Sequence, residues 1–398
     1  LAKKAVIEMT RASLITCCAG ASLMTVSVHA QENRVSVGAR VVTVYDSNQL
    51  RFGDQRVDGP KDNTSIAPGA TIDINRNFAR QRVYLQGAAE YVFNSRYRFL
   101  NRESLNFTGG AQLRFGPRCQ INPSAALFRA QSDLEDLGVV TSNVVTIQDY
   151  SISASCSRPA GFFPVVSGSI QRTDNARRTE RNQTSKEGRL GIVWRRPSLG
   201  EAELFAQVVE IRRNRLLAAQ TDFVRDTTNV KTLGLRLARS VGTRIATEVQ
   251  AAYTHADPAP GIRGYSGATY RGQVTYDIAP RLGISANLGR ALSGRGNLGT
   301  SYYVSDSAEL KIRAKLSAKT SAGAGIEAAK IQFRGEDPIF TANRRGTDYR
   351  YTVSGNVSYD LARTIGLNLA SRYRHRDANN GIFDYSSFAT TVTASIKF

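Results

Sequence analysis

One pattern limits what this chain can fold into more than any other. Apolar and polar residues alternate with a period of two, repeatedly, from about residue 35 to the end. Side chains of an extended strand point to opposite faces in turn, so this pattern describes strands with one oily and one wet face. In the last segment Phe388, Thr390, Val392, Ala394, Ile396 and Phe398 share one face, and Ala389, Thr391, Thr393, Ser395 and Lys397 the other. Tyr351, Val353, Val357, Tyr359 and Leu361 alternate with Arg350, Thr352, Asn356, Ser358 and Asp360. Leu310, Ile312, Ala314 and Leu316 oppose Glu309, Lys311, Arg313 and Lys315 in the same way.

A single strand of this kind also suits a soluble sandwich. Repetition along the chain, with charged residues inside the polar face, is what a sheet between lipid and an aqueous lumen requires. A mean hydropathy of −0.30 excludes a bundle of apolar membrane helices. The expected fold is therefore all-β: a transmembrane antiparallel β-barrel of about 18 strands. The first strand is expected near 35–45 and the last at 386–398, while 201–212 and 320–333 fit two registers.

Connections alternate in length. Short turns are read at 77–80, 240–242, 279–280, 316–318 and 362–363, and longer polar links at 46–67, 132–143, 173–184, 213–226, 255–264, 334–347 and 375–384. These are the short periplasmic turns and longer extracellular loops of such barrels.

Residues 1–30 read as a cleaved signal peptide. Lys3, Lys4 and Arg11 supply positive charge, residues 12–28 are apolar and small, and Val28-His29-Ala30 offers the cleavage site. Residues 31–398 are then one barrel. Cys119 and Cys156 remain, an even pair in an oxidising compartment and a candidate disulfide across successive short turns.

The net charge is +20, and 43 of the 53 basic residues are Arg. An exported chain meets no genome, so nucleic acid is not the expected partner; anionic sugars and lipid phosphates are. Arg114, Arg236, Arg271, Arg313, Arg350, Arg372 and Arg374 fall on the polar face. Guanidinium keeps its charge and presents a planar fork to carboxylate or phosphate, so a lumen lined this way favours anions. The other reading is a stiffening ladder in which Arg pairs with Glu90, Glu248, Asp277, Glu309 and Asp360, and both can hold together. A second group, Arg177, Arg178, Arg181, Arg212, Arg213, Arg215, Arg344 and Arg345, is placed in outer loops. It either meets lipopolysaccharide phosphates or is simply solvated.

No enzyme constellation stands out. After the leader only His255 and His375 remain, both placed in outer loops, each two residues before an Asp. No His or Cys spacing suggests zinc and no Gly-rich phosphate loop follows a strand, so no cofactor and no catalysis are expected. A passive channel is expected; one rival is a barrel filled by its own side chains that conducts nothing, the other a hydrolase with a site on the surface loops at His255 and Asp257 or His375 and Asp377.

Phe398, with apolar residues at every second position before it, resembles the signal read by the barrel-assembly machinery. Tyr45-Asp46-Ser47-Asn48-Gln49-Leu50-Arg51 resembles the Tyr-Asp-x-Asn-x-x-Arg segment of the putative β-barrel porin 2 group, which includes the EpsL-like proteins of exopolysaccharide operons. The resemblance implies an outer-membrane protein linked to export or surface assembly of polysaccharide.

Overall fold

The computed structural model describes residues 33–53, 59–132, 134, 142–216, 223–259, 262–293, 302–334, 346–379 and 383–398. They build 18 strands, each hydrogen-bonded to its sequence neighbours and antiparallel to them. The sheet closes where β1 (Arg34–Asp46) pairs with β18 (Tyr385–Lys397), from Gly38 opposite Lys397 to Asp46 opposite Ala389. Closure removes both sheet edges, which in hydrocarbon would leave a row of unsatisfied N–H and C=O groups.

The alternation read from the sequence matches the register. On β10 (Phe223–Val241) Leu233, Leu235 and Leu237 point outward, 60%, 45% and 48% exposed. On β16 (Thr347–Asp360) Tyr351, Val353 and Val357 do the same. So continuous an apolar outer band is stable against lipid, not water. The two ambiguous segments have physical reasons for their ambiguity. In β9 (Gly200–Leu216) the inward face carries Phe205, Val209 and Ile211 beside Glu203 and Gln207, while Leu204 and Val208 share the outward face with Glu210 and Arg212, so both faces mix polar and apolar residues. In β15 (Thr320–Arg334) both faces are rich in Gly and Ala.

Several connections are shorter than the sequence suggested. β2 (Asn63–Phe78) begins inside the 46–67 link, and β9 and β10 take up most of 213–226. β17 (Ile365–Ala378) likewise runs into the last link. The 19 residues of β10 far exceed the 9–11 or so needed to cross the hydrocarbon. Beyond the apolar band a strand no longer shows an oily face, and hydropathy then reads it as loop. His255 lies for this reason in β11 (Ile245–Asp257) and His375 in β17, not in loops. Arg212, Arg213 and Arg215 likewise sit in β9, whereas Arg177, Arg178 and Arg181 do lie between β7 (Gly161–Asn175) and β8 (Gln183–Arg196). Arg344 and Arg345 lie outside the described residues.

At the short-turn end, Cys119 opens β5 (Cys119–Gln131) and Cys156 closes β6 (Val144–Cys156). The two are cross-strand partners and form a disulfide with an S–S distance of 2.12 Å.

Candidate functional site

The inward face of the sheet is the candidate site. Its middle is lined by charge and its long-loop end is narrowed by folded-in side chains.

Arg236 does not stand free in water. It is buried, its Nη2 2.7 Å from Glu248 Oε2 and its Nη1 3.6 Å from Glu203 Oε2. Glu203 also accepts from Arg189 Nη2 at 2.8 Å, and the Arg189 guanidinium lies 3.7 Å from the centroid of the Phe205 ring. The four charges form a continuous band across β8–β11, the arrangement in which buried ions hold one another in place. Arg271, on β12 (Tyr265–Ala279), stays exposed and makes no ion pair among the described residues. Arg313, on β14 (Tyr302–Lys315), bonds Asp277 at 3.0 Å, both about half exposed. Arg40 reaches Glu90 at 2.5 Å, and Lys311 reaches Glu309 at 2.5 Å. Arg114 lies at the short-turn rim, where its N–H donates to Gln81 Oε1 at 2.6 Å.

The densest positive wall is on β16 and β17. Arg350 is the cross-strand partner of Arg376, Thr352 of Arg374 and Ser354 of Arg372, so four guanidinium groups occupy neighbouring inward positions. Arg376 was not singled out from sequence, although it continues the register of Arg372 and Arg374. It is fully buried, its Nε 3.0 Å from Asp348 Oδ2 and its Cζ 5.6 Å from the centre of the Phe383 ring.

The long-loop end is built by the Tyr45–Arg51 segment. Arg51 adopts φ 58°, turning the chain back on itself. Its guanidinium donates to both oxygens of Asp46, at 2.9 and 2.7 Å, and to Ser387 Oγ at 2.7 Å, and it lies 5.7 Å from the Tyr385 ring centre. Asp46, Tyr385 and Ser387 are all inward positions, so the segment bends over the inner rim. Asn48 holds the bend, its Nδ2 donating to Phe52 O at 2.8 Å and to Ser386 O at 3.1 Å. Leu50 and Phe52 are thereby brought to Leu100 and Leu134, from the next two long connections, in one buried apolar cluster that Tyr97 packs against. Tyr97 also donates to Pro60 O at 2.7 Å, and burial pushes its phenol above the ordinary value. Across the barrel, Ile211, Val230 and Ala256 make a second buried cluster. Buried apolar clusters thus stand on both sides of the long-loop end, above a charged middle.

The two histidines face outward. Each imidazole Nδ1 hydrogen-bonds a serine on the next strand, His255 to Ser266 at 2.6 Å and His375 to Ser386 at 2.9 Å. Among the described residues no three His, Cys, Asp or Glu side chains gather as a metal site.

The family model described as "Putative beta-barrel porin 2" matches residues 38–398. A comparison with curated proteins finds no match. Among solved structures the chain is similar to OccK7 (OpdD) of Pseudomonas aeruginosa, at 8% identity and TM-score 0.49, covering 92% of this chain and 99% of that one. OccK2 (OpdF) of the same organism, in complex with glucuronate, has 10% identity and TM-score 0.49 over 92% and 98%. A BenF-like porin from Pseudomonas fluorescens Pf-5 has 7% identity and TM-score 0.49 over 92% and 99%. At such values nothing about ligand or mechanism passes from those proteins to this one.

Proposed function

Because the chain belongs to the Putative beta-barrel porin 2 family, porin-like barrels of the outer membrane, we propose that it is a passive channel preferring anions. The observation that carries the reading is the β16–β17 wall, where four Arg occupy adjacent inward positions and the inward acidic residues of the same two strands are Asp348, which is bound to Arg376, and Asp360. In a narrow aqueous passage such a wall raises the local anion concentration, and a mobile solute needs no cofactor or catalytic group to cross.

The resemblance of Tyr45–Arg51 to EpsL-like proteins extends the proposal to acidic polysaccharide as solute or partner, since guanidinium forks suit carboxylates. Mature residues 31–398 as the barrel, delivery by the barrel-assembly machinery through the strand ending in Phe398, and contact of Arg177, Arg178 and Arg181 with lipopolysaccharide phosphate belong to the same reading.

Reversal potentials across planar bilayers in a salt gradient test it. Wild type is expected to select anions, less so as ionic strength rises, because salt screens the wall over about 8–10 Å. Arg372→Glu with Arg374→Glu is expected to move selectivity toward cations. A folded barrel that does not conduct, or whose selectivity ignores these substitutions, sinks the proposal and leaves a structural barrel in its place.

A further inference from the structure

The outward face carries a site of its own. A shallow groove of about 340 Å³ runs over β13 (Leu282–Ser293), β14, β15 and β16, toward their long-loop ends. Its floor is Ala308 and Ala328, cross-strand partners whose methyl groups leave a depression between taller neighbours. Leu288 and Tyr270 rise on one side, Tyr351 and Tyr349 on the other.

Two residues nearer the rim on each strand, at the next outward position, the row changes character. Arg290 pairs across with Asp306, and Asp306 with Lys330. Arg290 donates to both Asp306 oxygens, at 2.6 and 3.0 Å. The Lys330 ammonium lies 5.8 Å from the Tyr349 ring centre and has no carboxylate within 4 Å among the described residues. Three charges therefore stand on an outward face, immediately above Leu288 and the Ala308–Ala328 floor, with Leu310 and Ile326 one outward position lower; Leu288, Leu310 and Ile326 are 53%, 39% and 55% exposed. They sum to one positive charge. Charges facing lipid are tolerated at the interface far better than at mid-membrane, so this row marks the outer boundary of the apolar band.

We propose that the groove binds one outer-leaflet lipopolysaccharide, an acyl chain lying on the Ala308–Ala328 floor and a phosphate held by Lys330 and the adjacent Arg290 edge. Charge complementarity selects this occupant. The upper edge carries a net cation with ammonium hydrogens to donate, and the lower part is wholly apolar, which is the polarity of a phosphorylated, acylated glycolipid entering from the outer surface. A zwitterionic lipid brings its own cation toward Lys330. The aromatic walls add flat apolar surface at the headgroup level, where Tyr is favoured. The site depends on the outer-membrane location and on the long-loop end facing out; it does not depend on conduction.

Native mass spectrometry of the full refolded chain in maltoside micelles tests it, with diphosphorylated lipid A, dephosphorylated lipid A and phosphatidylcholine as probes. One diphosphorylated lipid A per barrel is expected, retained roughly tenfold or more over either other lipid, as a charge-assisted contact would give. Lys330→Gln is expected to remove most of that preference. Ala308→Phe with Ala328→Phe fills the floor and is expected to abolish retention, while heat-modifiable gel migration shows that the barrel still folds. Equal retention of all three lipids means ordinary annular lipid and overturns the site, as does undiminished binding by the folded variants or a dimer sealed by this face. Conductance is recorded on the same protein, so a failure here is distinct from a failure of the channel reading.

Discussion

Arg376 is the largest fully buried side chain among the described residues, which is unusual for a group that cannot shed its charge. It is tolerated because Asp348, itself 1% exposed, supplies the opposite charge from the neighbouring strand and the Phe383 ring covers the guanidinium. A buried pair of this kind is weak evidence for stability, since desolvation offsets much of the attraction, but breaking it is expensive. Arg376→Met is therefore expected to cost about 3–5 kcal/mol, because the Asp348 carboxylate stays buried without its nearest cation. Adding Asp348→Asn should recover a large part of the loss. Urea unfolding of the barrel in micelles, followed by tryptophan fluorescence of Trp194, measures both steps. A double variant no more stable than the single one would show that the pair is not what holds Arg376 in place.

Two of the long connections are fixed by the same small device, and its spacing stands in the sequence. Asn94-Ser95-Arg96 is followed by Asn101, and Asn175-Ala176-Arg177 by Asn182. In the first, Asn63 Nδ2 donates to Asn94 Oδ1 at 2.8 Å, Asn94 N donates to Asn101 Oδ1 at 2.7 Å, and Arg96 N donates to Asn63 Oδ1 at 3.2 Å. In the second, Asn143 takes the part of Asn63, with the corresponding distances 2.9, 2.6 and 3.1 Å. An amide side chain serves because it accepts and donates at once, satisfying backbone groups where the ladder ends. Asn143→Ala leaves the Arg177 N–H and the Asn175 carboxamide without these partners, at a cost of about 1–3 kcal/mol. Amide hydrogen exchange should rise in 175–182 and stay unchanged in 94–101; a uniform rise would contradict a local role. This repeat stands in the sequence, but hydropathy passes over it, since two polar residues seven positions apart carry no strand periodicity. The strands were legible for the opposite reason. Where Val353 and Val357 meet lipid and Ser354 and Asn356 meet the lumen, the environment forces the pattern. The register of β9 stays ambiguous because Phe205 packs inward under Arg189 beside Glu203, while Glu210 and Arg212 sit on the outward side with Leu204 and Val208.

At the scale of the molecule, a closed 18-stranded sheet fixes the wall and leaves the passage to be set by what folds into it. The sequence placed charges on the inner wall, yet it did not show that the start of the first long connection, through Phe52, turns inward. That depends on a single residue held at φ 58° and on partners at the other end of the chain, Tyr385 and Ser387, more than 330 positions away. The latch has two parts with different physics. The Asp46–Arg51 pair orients the segment, whereas Leu50 and Phe52 hold it by apolar burial against Leu100 and Leu134. Removing the first should loosen the mouth without unfolding the barrel, since the β1–β18 pairing from Gly38 to Asp46 does not depend on Arg51. Arg51→Ala is expected to raise single-channel conductance and its fluctuations. Leu50→Ser with Phe52→Ser, which forfeits about 1.5–3 kcal/mol of burial at each site, should raise it further. Conductance unmoved by both changes would mean that the narrow part of the passage lies elsewhere, at the Arg236–Glu203 band rather than at the mouth.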